Sequence, residues 1–166
     1  IINPQQVVER EAAFKKEARL RMENIRELEI LWEEENGYYT DDLDSLIRFG
    51  KNDTMVQNVI TGYDTLTGRS TNPFQKLQWG DVQIDSITQE SFPWDSLYYT
   101  PKSHKQFILQ VDTTTNLDTV INRYGKITGI DTLVDRGNRY YLKDPDGYGE
   151  IGDLYNDALK NAATWE

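Results

Sequence analysis

The two acidic residue types are segregated along this chain. Nine glutamates and no aspartate occur up to Asn36, whereas sixteen aspartates and only three glutamates follow from Gly37 onward. Glutamate suits the interior of a helix, while aspartate competes with the backbone for hydrogen bonds and favours caps and turns. The sequence therefore predicts a helical arm over residues 1–36, proximal to a membrane, and a turn-rich α+β body over residues 37–166.

A single long helix is predicted from Gln5 to Glu35. Apolar residues recur at helical spacing, and Asn36-Gly37 supplies a stop because glycine accepts the left-handed conformation. At 1.5 Å per residue the helix is about 45 Å long, more than the body can cover, so its first half should project. A coiled coil is the competing interpretation, disfavoured because the apolar spacing is not a sustained heptad. The apolar stripe consists of Val7, Phe14, Ala18, Met22, Ile25, Leu28 and Trp32.

Two pairs of opposite charge stand four residues apart on this helix, Glu11 with Lys15 and Glu17 with Arg21. In each pair the acidic residue comes first, which is the favourable order. We expect both pairs to form, each contributing a few tenths of a kcal/mol.

The body is predicted to hold a second helix and several short strands. Thr40 or Asp41 should cap the short helix and Gly50 should end it. Alternating apolar residues predict strands, and Gly125-Lys126 and Gly137-Asn138 are turn signals, the second closing a hairpin between two of these strands. The predicted strands are Val82–Ile87, Phe107–Val111, Ile127–Val134 and Tyr140–Leu142, with a loop at 61–73 and a C-terminal helix over 151–165.

An Asp-Ser/Thr-aliphatic tripeptide recurs at irregular spacing, for example at Asp118 and at Asp131. Short polar side chains of this kind bond nearby backbone N–H groups. We interpret the tripeptides as caps and strand entries. The fold expected from all these elements is α+β, with the long N-terminal helix packed on an antiparallel β-sheet and a short C-terminal helix.

The composition excludes several classes of protein. The chain has 18 basic and 28 acidic residues, a formal charge of −10, no cysteine and one histidine. Without cysteine, disulfides and thiolate metal sites are impossible. Nucleic acid and anionic lipid surfaces repel so acidic a chain, so we expect neither as a partner.

No catalytic, cofactor or metal-binding residues are predicted, and we expect no cofactor and no enzyme activity. His104 lies in a basic stretch typical of a surface turn, and its neighbour Ser103 is poorly placed for proton transfer. Asp144 to Ile151 echoes a calcium loop, but Tyr148 replaces an oxygen ligand and Asp-Pro-Asp-Gly is also an ordinary turn. Aromatic residues that could stack on a glycan are Trp79, Trp94 and Tyr98, although such residues are more often in the core.

Several stretches together resemble a family of uncharacterised, single-span membrane-anchored proteins of Bacteroidetes. These are Ile2 to Pro4, the helix Glu9 to Glu35, Asn36-Gly37-Tyr38-Tyr39, residues 44–49, 95–101 and 106–109, and the end from Gly152 to Glu166. The first third is also similar to type IV pilins and type II secretion pseudopilins, where a long helix leaves a membrane anchor and a Gly-x-Tyr turn follows.

The resemblance implies a non-enzymatic structural or assembly subunit, pilin-like or pseudopilin-like. It implies an anchor in the inner membrane upstream of Ile1, a body on the periplasmic face, and contact with like subunits through the N-terminal helix. The alternative is a periplasmic binding module for a glycan or a protein, using the exposed aromatic residues.

Overall fold

A 33-residue helix, α1 (Pro4–Asn36), begins the fold in the computed structural model, which describes residues 3–78 and 92–166. The Asn3 side chain accepts a hydrogen bond from Gln5 N at 3.1 Å, and Pro4 occupies the first turn, where its missing N–H costs nothing. Gly37, at φ 82°, closes the other end through its N–H to Glu33 O. The predicted helix and its stop are confirmed.

The burial of α1 changes along its length. Residues 3–10 are exposed, whereas side chains from Glu17 to Leu31 enter the core. The thin apolar stripe of the first turns accounts for this, since Val7 and Val8 alone cannot repay burial of the surrounding charged residues.

Two short helices follow, α2 (Leu43–Asn52) and α3 (Thr54–Thr61). The prediction of Thr40 or Asp41 as the cap of α2 is wrong, because Asp42 caps it by accepting from Ser45 N. Gly50 does not end α2; it lies inside the helix, where a Cβ would stand 2.8 Å from the Trp94 ring. Helix α3 was not predicted from the sequence, whereas the loop that follows it was predicted.

The sheet contains β1 (Ile108–Ile121), β2 (Ile127–Lys143) and β3 (Glu150–Gly152), antiparallel in the order β1-β2-β3. The predicted turn at Gly125-Lys126 forms, with Gly125 at φ 77°, and it joins β1 to β2. The predicted strand Val82–Ile87 lies outside the described residues.

The predicted hairpin at Gly137-Asn138 is wrong, because β2 runs continuously through these residues. Gly137, at φ 83°, forms a bulge in which three residues of β2 stand opposite Asp112 of β1. The bulge packs on the backbone just after α1: Tyr39 N donates to Gly137 O at 2.7 Å, and a Cβ on Gly137 would lie 2.5 Å from Tyr39 O. The sequence predicts Gly137 in a turn, but in the structure Gly137 makes a tertiary contact.

One core joins the helices to the base of the sheet. Met22, Ile25 and Leu28 of α1 are fully buried, as are Leu142 of β2 and Ile151 of β3. The predicted C-terminal helix is reduced to the single 3₁₀ turn Asp157–Leu159, since Ile151 pairs with Leu142 in the sheet. Among the helices of residues 3–78 and 92–166, none combines the length and the apolar character needed to cross a bilayer.

Candidate functional site

The distal part of the β1–β2 hairpin, residues 113–136, stands away from the core. Every side chain described in it is exposed except that of Asn122, which is half-buried in the turn. Within residues 113–136 the two strands pair only with each other in the described part of the chain. A two-stranded ribbon is marginal by itself in water, and its unpaired edges can accept further strands. We call residues 113–136 the hairpin arm.

One face of the hairpin arm is uncharged over three successive cross-strand pairs. In register, Thr115 faces Val134, Leu117 faces Thr132 and Thr119 faces Ile130. Directly opposed residues share a face, and alternate residues of one strand do too. The aliphatic members of these pairs are 61–69% exposed: Leu117, Ile130 and Val134. A contiguous apolar face left in solvent on a projecting element is typical of an interaction surface.

The opposite face of the hairpin arm is acidic. Asp118 stands directly opposite Asp131, and Asp135 follows on the same face of β2. Like charges directly opposed across a ribbon destabilise it. The prediction that Asp118 and Asp131 are strand entries is wrong, because both lie in mid-strand.

Polar contacts fix the direction in which the hairpin arm leaves the body. Arg139 N donates to Asp112 Oδ1 at 2.6 Å, and its guanidinium bonds Asp157 at 2.5 Å. Arg136, at the last pair before the bulge, forms an ion pair with Asp41. With the Gly137–Tyr39 contact, these bonds tie the base of the arm to the segment after α1 and to the C-terminal 3₁₀ turn.

A second surface, on α1, carries unpaired positive charge in an acidic protein. Lys15 and Lys16 are exposed, Arg19 is half-buried, and neither lysine has an ion-pair partner among the described residues. The predicted Glu11–Lys15 pair does not form, because Glu11 bonds Lys102 and Tyr148 instead. The predicted Glu17–Arg21 pair forms at 3.2 Å. We call Lys15, Lys16 and Arg19 the cationic face.

Two open grooves flank the cationic face and share Ala12, Lys15 and Arg19. One, about 360 Å³, is bounded by Trp165, and the other, about 450 Å³, by Tyr148. The Arg19 guanidinium lies 5.0 Å from the centroid of the Trp165 ring and its Nε donates to Tyr148 O at 3.0 Å. Arg19 therefore joins the two grooves through a cation–π contact and a hydrogen bond.

Trp165 is held in place from α1. Its Nε1 donates to Glu23 Oε1 at 3.1 Å, and the next residue, Glu166, forms a 2.7 Å ion pair with Arg26. The predicted C-terminal helix ended at Trp165; in the structure Trp165 bounds a groove, and its hydrogen bond to Glu23 joins residues 142 apart in sequence. The segment carried no signal of that placement.

The Tyr148 groove contains a small charge network. The Tyr148 hydroxyl donates to Glu11 at 2.7 Å. The bond from Lys102 holds the pKa of Glu11 below its usual value, and Glu11 in turn raises the pKa of Lys102. At neutral pH the Glu11 carboxylate and the Lys102 ammonium neutralise each other, which leaves Lys15 and Arg19 to set the sign of the groove.

Of the aromatic residues predicted to be able to stack on a glycan, the two that the structure describes, Trp94 and Tyr98, do not form a site together. Trp94 is buried against Phe74 and Phe92, with ring centroids 5.1 and 4.5 Å away. Tyr98 is half-buried and donates its hydroxyl to Asp44. Trp79 lies outside the described residues.

The other candidates have local structural roles. His104 lies in an exposed turn at φ 54°, with its N–H bonded to Thr100 O. In the loop resembling a calcium site, Asp144 Oδ1 accepts from Asp146 N and Asp146 accepts from Ser103 N, as turn aspartates do. Burial raises the pKa of Asp144. Within residues 3–78 and 92–166, no three His, Asp or Glu side chains converge on a point that could hold a metal ion.

No family model, curated protein or solved structure matches this chain. Two surfaces of the described residues bear on function, the hairpin arm and the cationic face.

Proposed function

We propose that this chain is a non-enzymatic structural subunit that assembles with copies of itself, in the manner of a pilin-like or pseudopilin-like body. The observation that carries the proposal is the apolar face of the hairpin arm. Leu117, Ile130 and Val134 remain more than 60% exposed although the core is well formed. The described side chains of the hairpin arm do not contribute to that core. A partner that covers the apolar face would account for its exposed aliphatic side chains.

A second copy of the hairpin arm fits this face by its chemistry. Two uncharged faces can pack against each other while both acidic faces point outward, away from one another. Packing through the acidic faces would instead bring together two sets of Asp118, Asp131 and Asp135. The face that avoids repulsion is also the face that gains from burial.

The size of the arm limits what this contact can do. The arm contains residues 113–121 of β1 and 127–136 of β2, which give a ribbon about 30 Å long and about 10 Å wide, or about 300 Å² per face. Two packed faces bury about 600 Å², and specific stable interfaces bury about 1,200–2,000 Å². The apolar contact alone therefore gives weak association, and a stable assembly needs a second contact.

The proposal includes a membrane tether upstream of α1 and a periplasmic location. The exposure of residues 3–10 supports it, because a helix that leaves the body at this end can continue to a membrane without obstruction. The test is the gene sequence before Ile1. An apolar segment of about 20 residues is expected; a gene without one would remove the tether and leave self-assembly to be tested separately.

Sedimentation velocity over a wide concentration range tests self-assembly. The wild type should associate, and the triple variant Leu117→Thr/Ile130→Thr/Val134→Thr should associate far more weakly, because threonine keeps β propensity but removes the aliphatic surface. A matched control, Leu66→Thr/Leu159→Thr, removes exposed leucines elsewhere and should associate like the wild type. A wild type that is monomeric at every concentration, or a triple variant that associates equally well, would contradict the proposal.

A further inference from the structure

We propose that the acidic face of the hairpin arm in one copy docks against the cationic face of α1 in the next copy. The inference rests on the proposed function and adds the second contact that the area of the arm requires. Its two halves are Asp118, Asp131 and Asp135 on one side, and Lys15, Lys16 and Arg19 on the other.

Charge identifies the occupant of the cationic face. The chain carries a net charge of −10, yet three cations are grouped on one stretch of α1, and its two lysines have no acidic partner among the described residues. The acid that sequence spacing assigns to Lys15 is taken by Lys102. An acidic surface is the complement of this face, and the hairpin arm of another copy presents one.

Spacing favours the same pairing. Asp118 and Asp131 are directly opposed, which places their Cβ atoms about 5 Å apart. Lys15 and Arg19, one helical turn apart, have Cβ atoms about 5–6 Å apart. Two carboxylates and two cations at matching separations can form two ion pairs together. Each aspartate then gains a cation where it now faces only another aspartate.

The groove supplies contact area as well as charge. The groove bounded by Trp165, about 360 Å³, adds the apolar surface of Trp165 and Ala12 to the contact, and the Glu23 carboxylate that also lines it accepts a hydrogen bond from Trp165 Nε1. The arm and the helix face are different surfaces of the same molecule, so the contact is head-to-tail. A head-to-tail contact repeats into a ring or a filament, while the apolar faces of two arms remain free to pair.

Charge reversal tests this docking. Lys15→Glu/Lys16→Glu reverses the helix side without altering Arg19, which holds the grooves together. Asp118→Lys/Asp131→Lys reverses the arm side and replaces one like-charged pair by another, so the internal repulsion of the ribbon is unchanged. Each double variant should weaken self-association about tenfold or more, and far-ultraviolet circular dichroism should show that both remain folded.

Mixing the two double variants is the decisive experiment. In an equimolar mixture, the unchanged acidic face of the helix variant meets the unchanged cationic face of the hairpin-arm variant, so association should return toward the wild-type level. The reverse pairing contributes less, because Arg19 stays cationic opposite the introduced lysines. The wild-type association should also weaken from about 0.15 M to about 1 M NaCl, as the Debye length falls from about 8 to about 3 Å.

Two controls separate this contact from general charge effects. Arg69→Glu/Lys105→Glu makes the same change in net charge at exposed residues that line neither groove, and should leave association unchanged. Asp81→Lys/Asp85→Lys changes the charge of the segment outside the described residues and should also have no effect. If Asp81→Lys/Asp85→Lys weakens self-association while Asp118→Lys/Asp131→Lys does not, the cationic face binds that segment and the docking proposal is overturned.

The outcomes distinguish this inference from the proposed function. If the apolar triple variant associates far more weakly while both charge variants associate normally, the proposed function stands and the docking proposal fails. Failure of the two charge variants to restore association on mixing would also overturn it. If the wild type never associates, both proposals fail.

Discussion

Replacing the buried Glu29 by glutamine should make the fold more stable at pH 8 and flatten its dependence on pH. Glu29 is completely buried in α1, where its Oε2 accepts from Thr40 N at 3.2 Å. No described residue hydrogen-bonds its Oε1. Burial, with a smaller contribution from Asp41, raises the pKa of Glu29 from 4.5 to about 8.

The sign of the effect follows from proton binding. Between pH 4.5 and about 8 the folded chain holds a proton on Glu29 that the unfolded chain has lost. Stability is therefore greatest below pH 4.5 and falls as the pH rises toward 8. The gap of about 3.5 between the two pKa values corresponds to a loss of about 5 kcal/mol over the whole range, as an upper bound.

Glutamine stays neutral and keeps an oxygen for Thr40 N, so Glu29→Gln should lose this dependence. Urea unfolding, followed by tryptophan fluorescence at several pH values from about 5 to about 8, measures it. Burial also raises the pKa of Glu27, so the quantity to compare is the difference between the wild type and the variant. The adjacent Tyr140 hydroxyl does not interfere, because burial and the Glu29 charge keep its pKa far above this range.

The exposed Glu34 on the same helix provides the matched control. Glu34→Gln should give free energies of unfolding that run parallel to those of the wild type at every pH. The reasoning is refuted if Glu29→Gln loses stability with rising pH as steeply as the wild type does.

Two further substitutions test tertiary and electrostatic contacts that stabilise the fold. Gly137→Ala should lower the free energy of unfolding by about 3 kcal/mol or more, because it combines a positive φ with a Cβ 2.5 Å from Tyr39 O; Gly125→Ala, also at positive φ but with no neighbour within 4 Å, should cost only about 1 kcal/mol in the same urea titration. Arg21→Met should cost about 3–5 kcal/mol by leaving the Glu17 carboxylate buried without its cation, and adding Glu17→Gln should recover part of the loss. A double variant less stable than Arg21→Met alone would contradict that reading of the pair.

The residues that specify α1, its apolar stripe and the stop at Gly37, lie within the helix or next to it, so the helix could be predicted from the sequence. The sheet was less predictable because it depends on contacts between residues far apart in the chain. The length of β1 and β2 depends on pairing across the hairpin, which a strand pattern read one segment at a time does not show. Gly137 is the clearest case, since the residue that breaks the pattern of β2 is placed by Tyr39, nearly one hundred positions earlier.

The candidate surfaces were less predictable for the same reason. Sequence spacing assigned Glu11 to Lys15, but the partner of Glu11 is Lys102, 91 residues away. Because Glu11 bonds Lys102, Lys15 has no ion-pair partner among the described residues. Asp118 and Asp131 were visible in the sequence as members of repeated tripeptides, yet their opposition appears only once the strands are paired.

The net charge of −10 acquires a different meaning once it is mapped on the fold. As a uniform surface it would oppose any contact between copies, because like molecules would repel at every approach. The charges are instead arranged so that one acidic ribbon and one cationic helix face lie on separate surfaces. In the docking that we propose, repulsion between copies acts mainly on wrong orientations, and the head-to-tail orientation that joins arm to helix is favoured. On that proposal, the acidity of the chain selects the orientation of docking and does not prevent it.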